Sequence, residues 1–147
     1  MSRIPRVQQI VIPILREAFP GVKVGSWIED IDYRHFPMIN IRRIGGPRHD
    51  RRPKDLGLPV IEMTAFTTVG IIDTEQLYED ALEVLYDAVR RQHETPEGYL
   101  HSMFETMGAT QFSSLFQDSW RVQGLIQLGV RPPHNNQQLV RSFHVAE

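Results

Sequence analysis

At 147 residues, 41% hydrophobic and 23% charged, the chain is long enough for one domain with its own core and too apolar for global disorder. It contains no cysteine, which excludes disulfides, thiolate nucleophiles and cysteine-ligated metals. A formal net charge of −2 gives no overall pull toward nucleic acid or an anionic membrane.

The first periodic segment places Val7, Ile10, Val11, Ile14, Leu15 and Ala18 on one helical stripe. Pro5 suits a first turn, and Pro13 lies off the stripe, so a kink there spares the buried face. Pro20-Gly21 stops the helix. The apolar run Ile10–Leu15 ends in Arg16-Glu17, too short for a secretory signal, and no run approaches the ~20 residues of a membrane span. The expectation is a soluble chain without a targeting segment.

Val22, Val24 and Ser26 alternate up to Trp27-Ile28, a first strand, and the acidic residues Glu29, Asp30 and Asp32 open a polar connection. Met38 to Ile44 reads as a second strand, with Met38, Asn40, Arg42 and Ile44 on one face and Ile39, Ile41 and Arg43 on the other. Gly45-Gly46-Pro47 breaks it. Val60 to Thr67 is the third strand, its facing open because Val60, Met63 and Phe66 do not alternate strictly.

A second helix is predicted from Asp73, capped by that residue with Gln76 as the reciprocal partner. Its apolar face is Leu77, Ala81, Leu82, Leu85, Ala88 and Val89. Glu75, Glu79 and Asp80 at its start and Arg90-Arg91 at its end complement the helix dipole. After Pro96-Glu97-Gly98, Tyr99 to Met107 fits both period 4 and period 2 and is assigned as a strand. Gly108 to Ser119 reads as a loop anchored by Phe112, Leu115 and Phe116. Trp120 to Arg131 alternates cleanly, with Trp120, Val122, Gly124, Ile126, Leu128 and Val130 on the buried side. Pro132-Pro133 ends it. The fold class is α+β, a single domain over residues 1–133 with a mixed or antiparallel sheet of about five strands packed by two helices, followed by a C-terminal tail over 134–147.

No reaction chemistry emerges. The six histidines stand singly and make no i, i+4 metal pair, no Gly-x-Ser-x-Gly elbow occurs, and Gly21 to Gly25 lacks the ending of a phosphate loop. Glu29, Asp30 and Asp32 lack the ligand spacing of a calcium loop. No catalytic, cofactor-binding or metal residue is expected, and the chain is not read as an enzyme. The anomaly is the segment from Gly45 to Pro59. With Arg42 and Arg43 it gathers seven basic or potentially basic side chains: Arg42, Arg43, Arg48, His49, Arg51, Arg52 and Lys54. Three readings stand: contact with phosphates in nucleic acid, docking on an acidic surface of a neighbouring subunit, or a solvated loop.

The order of several strings carries a resemblance. The first helix leads into Phe19-Pro20-Gly21-Val22-Lys23-Val24-Gly25. Arg42-Arg43-Ile44-Gly45-Gly46 ends a strand, Leu58-Pro59-Val60-Ile61 opens the next, and Trp120-Arg121-Val122-Gln123 begins the last. From Ile4 to about Pro133 the chain resembles the tail terminator proteins of long, non-contractile-tailed phages, especially those of actinobacterial hosts. The resemblance implies a structural virion protein, assembled in the host cytoplasm, that forms a homohexameric ring on the head-proximal end of the tail. There it stops tube polymerisation and offers the surface for head–tail joining. Its implied partners are further copies of itself, the tail tube protein and the head–tail connector or stopper, with DNA passing through the lumen unread and no membrane. It supplies no catalytic residues. Arg42, Arg43, Arg48, Arg51, Arg52 and Lys54 are the candidate assembly contacts. The alternatives are a head–tail stopper or neck connector and, from another class, a nucleic-acid-binding module.

Overall fold

A computed structural model describes residues 3–26, 35–113 and 119–134. The expected strand end at Trp27-Ile28, the acidic residues Glu29, Asp30 and Asp32, the anchors Leu115 and Phe116, and the tail beyond His134 lie outside the described residues.

Helix α1 spans Val7–Ala18, and its stripe of Val7, Ile10, Val11, Ile14 and Leu15 is buried as the spacing requires. Ala18, assigned to that stripe from sequence, is instead exposed, at the last position of the helix. Pro13 sits inside the helix with its ring exposed, so the hydrogen bond it forfeits lies on the solvent side. Arg16 ties the last turn to the sheet, its Nε donating to the Val24 carbonyl at 2.9 Å.

The sheet comprises β1 (Lys23–Gly25), β2 (Met38–Arg43), β3 (Val60–Thr67), β4 (Tyr99–Phe112) and β5 (Trp120–Arg131), in the order β1-β2-β3-β5-β4. β1 and β2 are parallel and the other neighbours antiparallel, so the sheet is mixed. Register settles the open question of facing. Ile39 pairs with Ala65 and Ala65 with Val122, while Ile61 pairs with Ile126, so these side chains share one face. That face carries the core with Ile41, Met63, Leu128 and Val130.

Helix α2 (Ile71–Arg91) packs over β3, β4 and β5, while α1 packs against β1, β2 and α2. It starts earlier than predicted. Gly70 is the N-cap and no side chain caps it, so the expected Asp73–Gln76 box does not form. Gln76 instead donates to Asp80 along the helix surface. The entry is held by two buried threonines: the Thr74 hydroxyl donates to the Gly70 carbonyl at 2.7 Å and lies 2.8 Å from the Thr67 hydroxyl. Tyr78, absent from the predicted apolar face, is fully buried. Gln92 closes the helix in the left-handed region at φ 48°, its N–H and that of His93 reaching back to the last carbonyls.

β4 is the larger correction. The stretch Gly108 to Phe112, read as loop, continues the strand, which runs fourteen residues. Its pairing with β5 shifts register between Leu100 and Ser102, between Glu105 and Met107, and between Met107 and Thr110. Each bulge reverses the phase of the inside–outside alternation, which is why no single period is visible in the sequence.

Candidate assembly surface

The basic segment is ordered. Gly45 and Gly46 have φ of 123° and 100°, and a Cβ on Gly46 would stand 2.2 Å from the Leu58 carbonyl oxygen, so glycine is required where the chain leaves β2. Beyond it a small ladder forms: Leu58 N–H donates to Pro47 O and His49 N–H to Leu56 O, each at 2.9 Å. At the tip the His49 ring accepts, through Nδ1, the N–H groups of Arg51 and Arg52. Leu56 is buried, and Gly57 exchanges two backbone hydrogen bonds with Val130 at the end of β5. The expected loop is thus a hairpin clamped at its base, with a charged tip.

The six candidate contacts divide. Arg42 lies on the sheet face opposite the helices, paired with Glu62 at 3.0 Å. Arg43 donates to the Gly45 and Gly46 carbonyls at 3.3 and 3.4 Å and so braces the hairpin base. These two are structurally occupied and do not join the tip. Arg48, Arg51, Arg52 and Lys54 do, all exposed. Arg52 is 3.6 Å from Asp55, and among the described residues Arg51 and Lys54 form no ion pair.

Sequence reasoning passed over the opposite charge. From Asp73 to Asp87, α2 carries six carboxylates and no lysine or arginine, so the near-neutral total conceals a strong segregation. Asp87 is matched by Arg90 and Arg91, and these contacts, Arg91 foremost, hold its carboxyl below the usual range. Glu75, Glu79 and Glu83 are exposed. The acidic run is legible in the sequence, where its N-terminal part complements the helix dipole.

A second feature with no sequence signal holds His134, the last described residue. His134 Nε2 lies 2.8 Å from the Tyr99 hydroxyl, and the His134 N–H donates to Glu94 at 2.6 Å. Burial of the Tyr99 phenol raises its pKa. Among the described residues no group of three histidine, aspartate or glutamate side chains converges as metal ligands would, and no helix is long and apolar enough to cross a membrane.

A mixed five-stranded sheet with both helices on one face and charged, solvent-facing protrusions defines a small α+β building block with its conspicuous features turned outward. The chain belongs to the phage tail termination protein family, whose model matches residues 3–137. It is therefore a structural component of a virion tail. It is 63% identical over 137 residues to the Gene 22 protein of Mycobacterium phage D29, covering 92% of this chain and 99% of that protein. The Gene 22 protein of Mycobacterium phage L5 is 63% identical over 135 residues, covering 90% and 97%. In fold it matches a chain from the virion of a native gene transfer agent particle, with TM-score 0.57 and 14% identity over 85% of this chain and 94% of the other.

Proposed function

We propose that this chain forms a homohexameric ring that caps the head-proximal end of the tail tube, ends tube polymerisation and presents the surface to which the head connector joins. The observation that carries the reading is the outer edge of β4. Fourteen residues end the sheet there with no further described strand beside them, and an edge of that length is one that folded proteins cover. A neighbouring subunit in a ring would cover it. Val69, Ile72 and Phe104 support the same reading, being large apolar residues 76%, 78% and 64% exposed. The sheet face away from the helices is mixed, with Arg42–Glu62 and Thr64–Gln123 contacts beside buried Met38 and Phe66.

Electron microscopy of tails assembled with and without the protein tests this function. Overlong, headless tails are expected in its absence. Tails of normal length that fail to take heads would assign the chain to a stopper role instead, and normal joined particles would overturn the proposal.

A further inference from the structure

Between the C-terminal half of α1 and the C-terminal half of α2 lies an open groove of about 660 Å³. Ile14, Ala18 and Val84 supply its apolar lining, and Glu17 and Glu83 supply its open charge, since Asp87 and Arg91 at one end neutralise each other. Glu17 and Glu83 are exposed, and neither forms an ion pair among the described residues. The hairpin tip has the inverse pattern: an exposed Pro53 between Arg52 and Lys54, with Arg51 beside them. We propose that this groove receives the hairpin tip of a second copy of the chain. Pro53 sits on the apolar lining, and Arg51 and Lys54 meet Glu17 and Glu83. The inference rests on the ring reading and names the joint within it.

Two arguments select a second copy as the occupant. Charge complementarity is the first, because opposed cations and carboxylates steer association and fix register while like charges repel wrong partners. The second is anchorage. The hairpin base is fixed at Gly57 against Val130, and a Cβ on Gly57 would meet Ile4, just before α1. The groove lies beside Ile14 and Ala18, toward the other end of that helix, on the order of 20 Å away at 1.5 Å per residue. The tip makes no ion pair with Glu17 or Glu83 of its own chain. Tip and groove are different surfaces, so their contact is heterologous, the kind that closes into a ring when the rotation permits.

Because the chain has no cysteine, the joint can be trapped cleanly. Tails are assembled with the Lys54→Cys/Glu83→Cys chain and mildly oxidised. The expected result is a ladder of covalent oligomers ending at the ring size, absent from a Lys54→Cys/Glu62→Cys control on the opposite sheet face. Double-variant protein that is present in tails yet stays monomeric overturns the inference while leaving the ring reading intact. Wild-type protein absent from tails overturns both. In a second arm, Glu17→Arg/Glu83→Arg lowers joined particles at least about tenfold, and adding Arg51→Glu/Lys54→Glu restores them to within about threefold. Failure of the swap to restore joining also overturns it, and loss of DNA affinity with the tip reversal would assign the tip to nucleic acid.

Discussion

The hydroxyl of Tyr78 occupies the space in which a side chain at position 124 would stand: a Cβ on Gly124 would lie 1.9 Å from that oxygen and 2.8 Å from the Met107 carbonyl. Helix α2 and strand β5 therefore approach as closely as they do because one residue is large and the other has no side chain. Among the described residues the Tyr78 hydroxyl is buried without a hydrogen-bond partner, and burial, reinforced by Glu105, raises its pKa so that the phenol stays neutral.

Gly124→Ala should cost about 1–3 kcal/mol by overpacking, read as a lower midpoint in urea with an unchanged slope. Tyr78→Phe should be neutral or stabilising, because it removes an unsatisfied hydroxyl. In the Tyr78→Phe background Gly124→Ala should cost measurably less. Additive effects in the double variant would show that the contact does not set the spacing.

The start of α2 offers a test of which side chain holds it. Thr74→Ala removes the buried hydroxyl that serves Gly70 and Thr67 and should cost about 1–2 kcal/mol. Asp73→Ala removes only a charge near the helix N-terminus and should cost at most about 0.5 kcal/mol. A reversed ranking in thermal unfolding would restore the capping box expected from sequence.

Reversal of the hairpin tip by Arg48→Glu, Arg51→Glu and Arg52→Glu should leave unfolding within about 0.5 kcal/mol of wild type, since all three side chains are exposed. Infectious particles should fall by about tenfold or more if the tip is a joint. Normal infectivity from this variant would remove the tip from the assembly contacts.

His101 gives a pH signature. Desolvation first, then the charges of Arg131, Arg52 and His49, hold its pKa below the ordinary value. The unfolded chain therefore binds this proton more readily than the folded one, so stability rises with pH through the ordinary histidine range and falls as acid protonates the folded ring. His101→Gln should flatten that part of the stability–pH curve between about pH 5 and 7. An unchanged curve would show that His101 does not contribute to it.

Periodicity located most of the elements because burial acts on each of them alone. β5 begins and ends where alternation and proline place it, at Trp120–Arg131, and β3 spans Val60–Thr67 as expected although its pattern does not alternate strictly. The six candidate cations illustrate the limit. In sequence they form one cluster, yet Arg42 is committed to Glu62 across a strand pair and Arg43 to the hairpin base, leaving Arg48, Arg51, Arg52 and Lys54 at the tip. Which partner a charge finds depends on strand register, and register is not written in the charges. The groove beside Glu17 and Glu83 is illegible for a related reason: its two walls are sixty-odd positions apart in the chain.

By itself the sequence determined the α+β order, the buried stripes, the absence of thiol chemistry and the likeness to tail terminators, since each follows from local pattern or composition. Only the tertiary structure decided that β4 runs on through its bulges to Phe112, that Thr74 and not Asp73 holds the entry to α2, and that Glu17 and Glu83 line one groove while Arg51 and Lys54 stand at the hairpin tip. Those outcomes depend on which residues distant in sequence come within 3 or 4 Å of each other, and packing alone sets that distance.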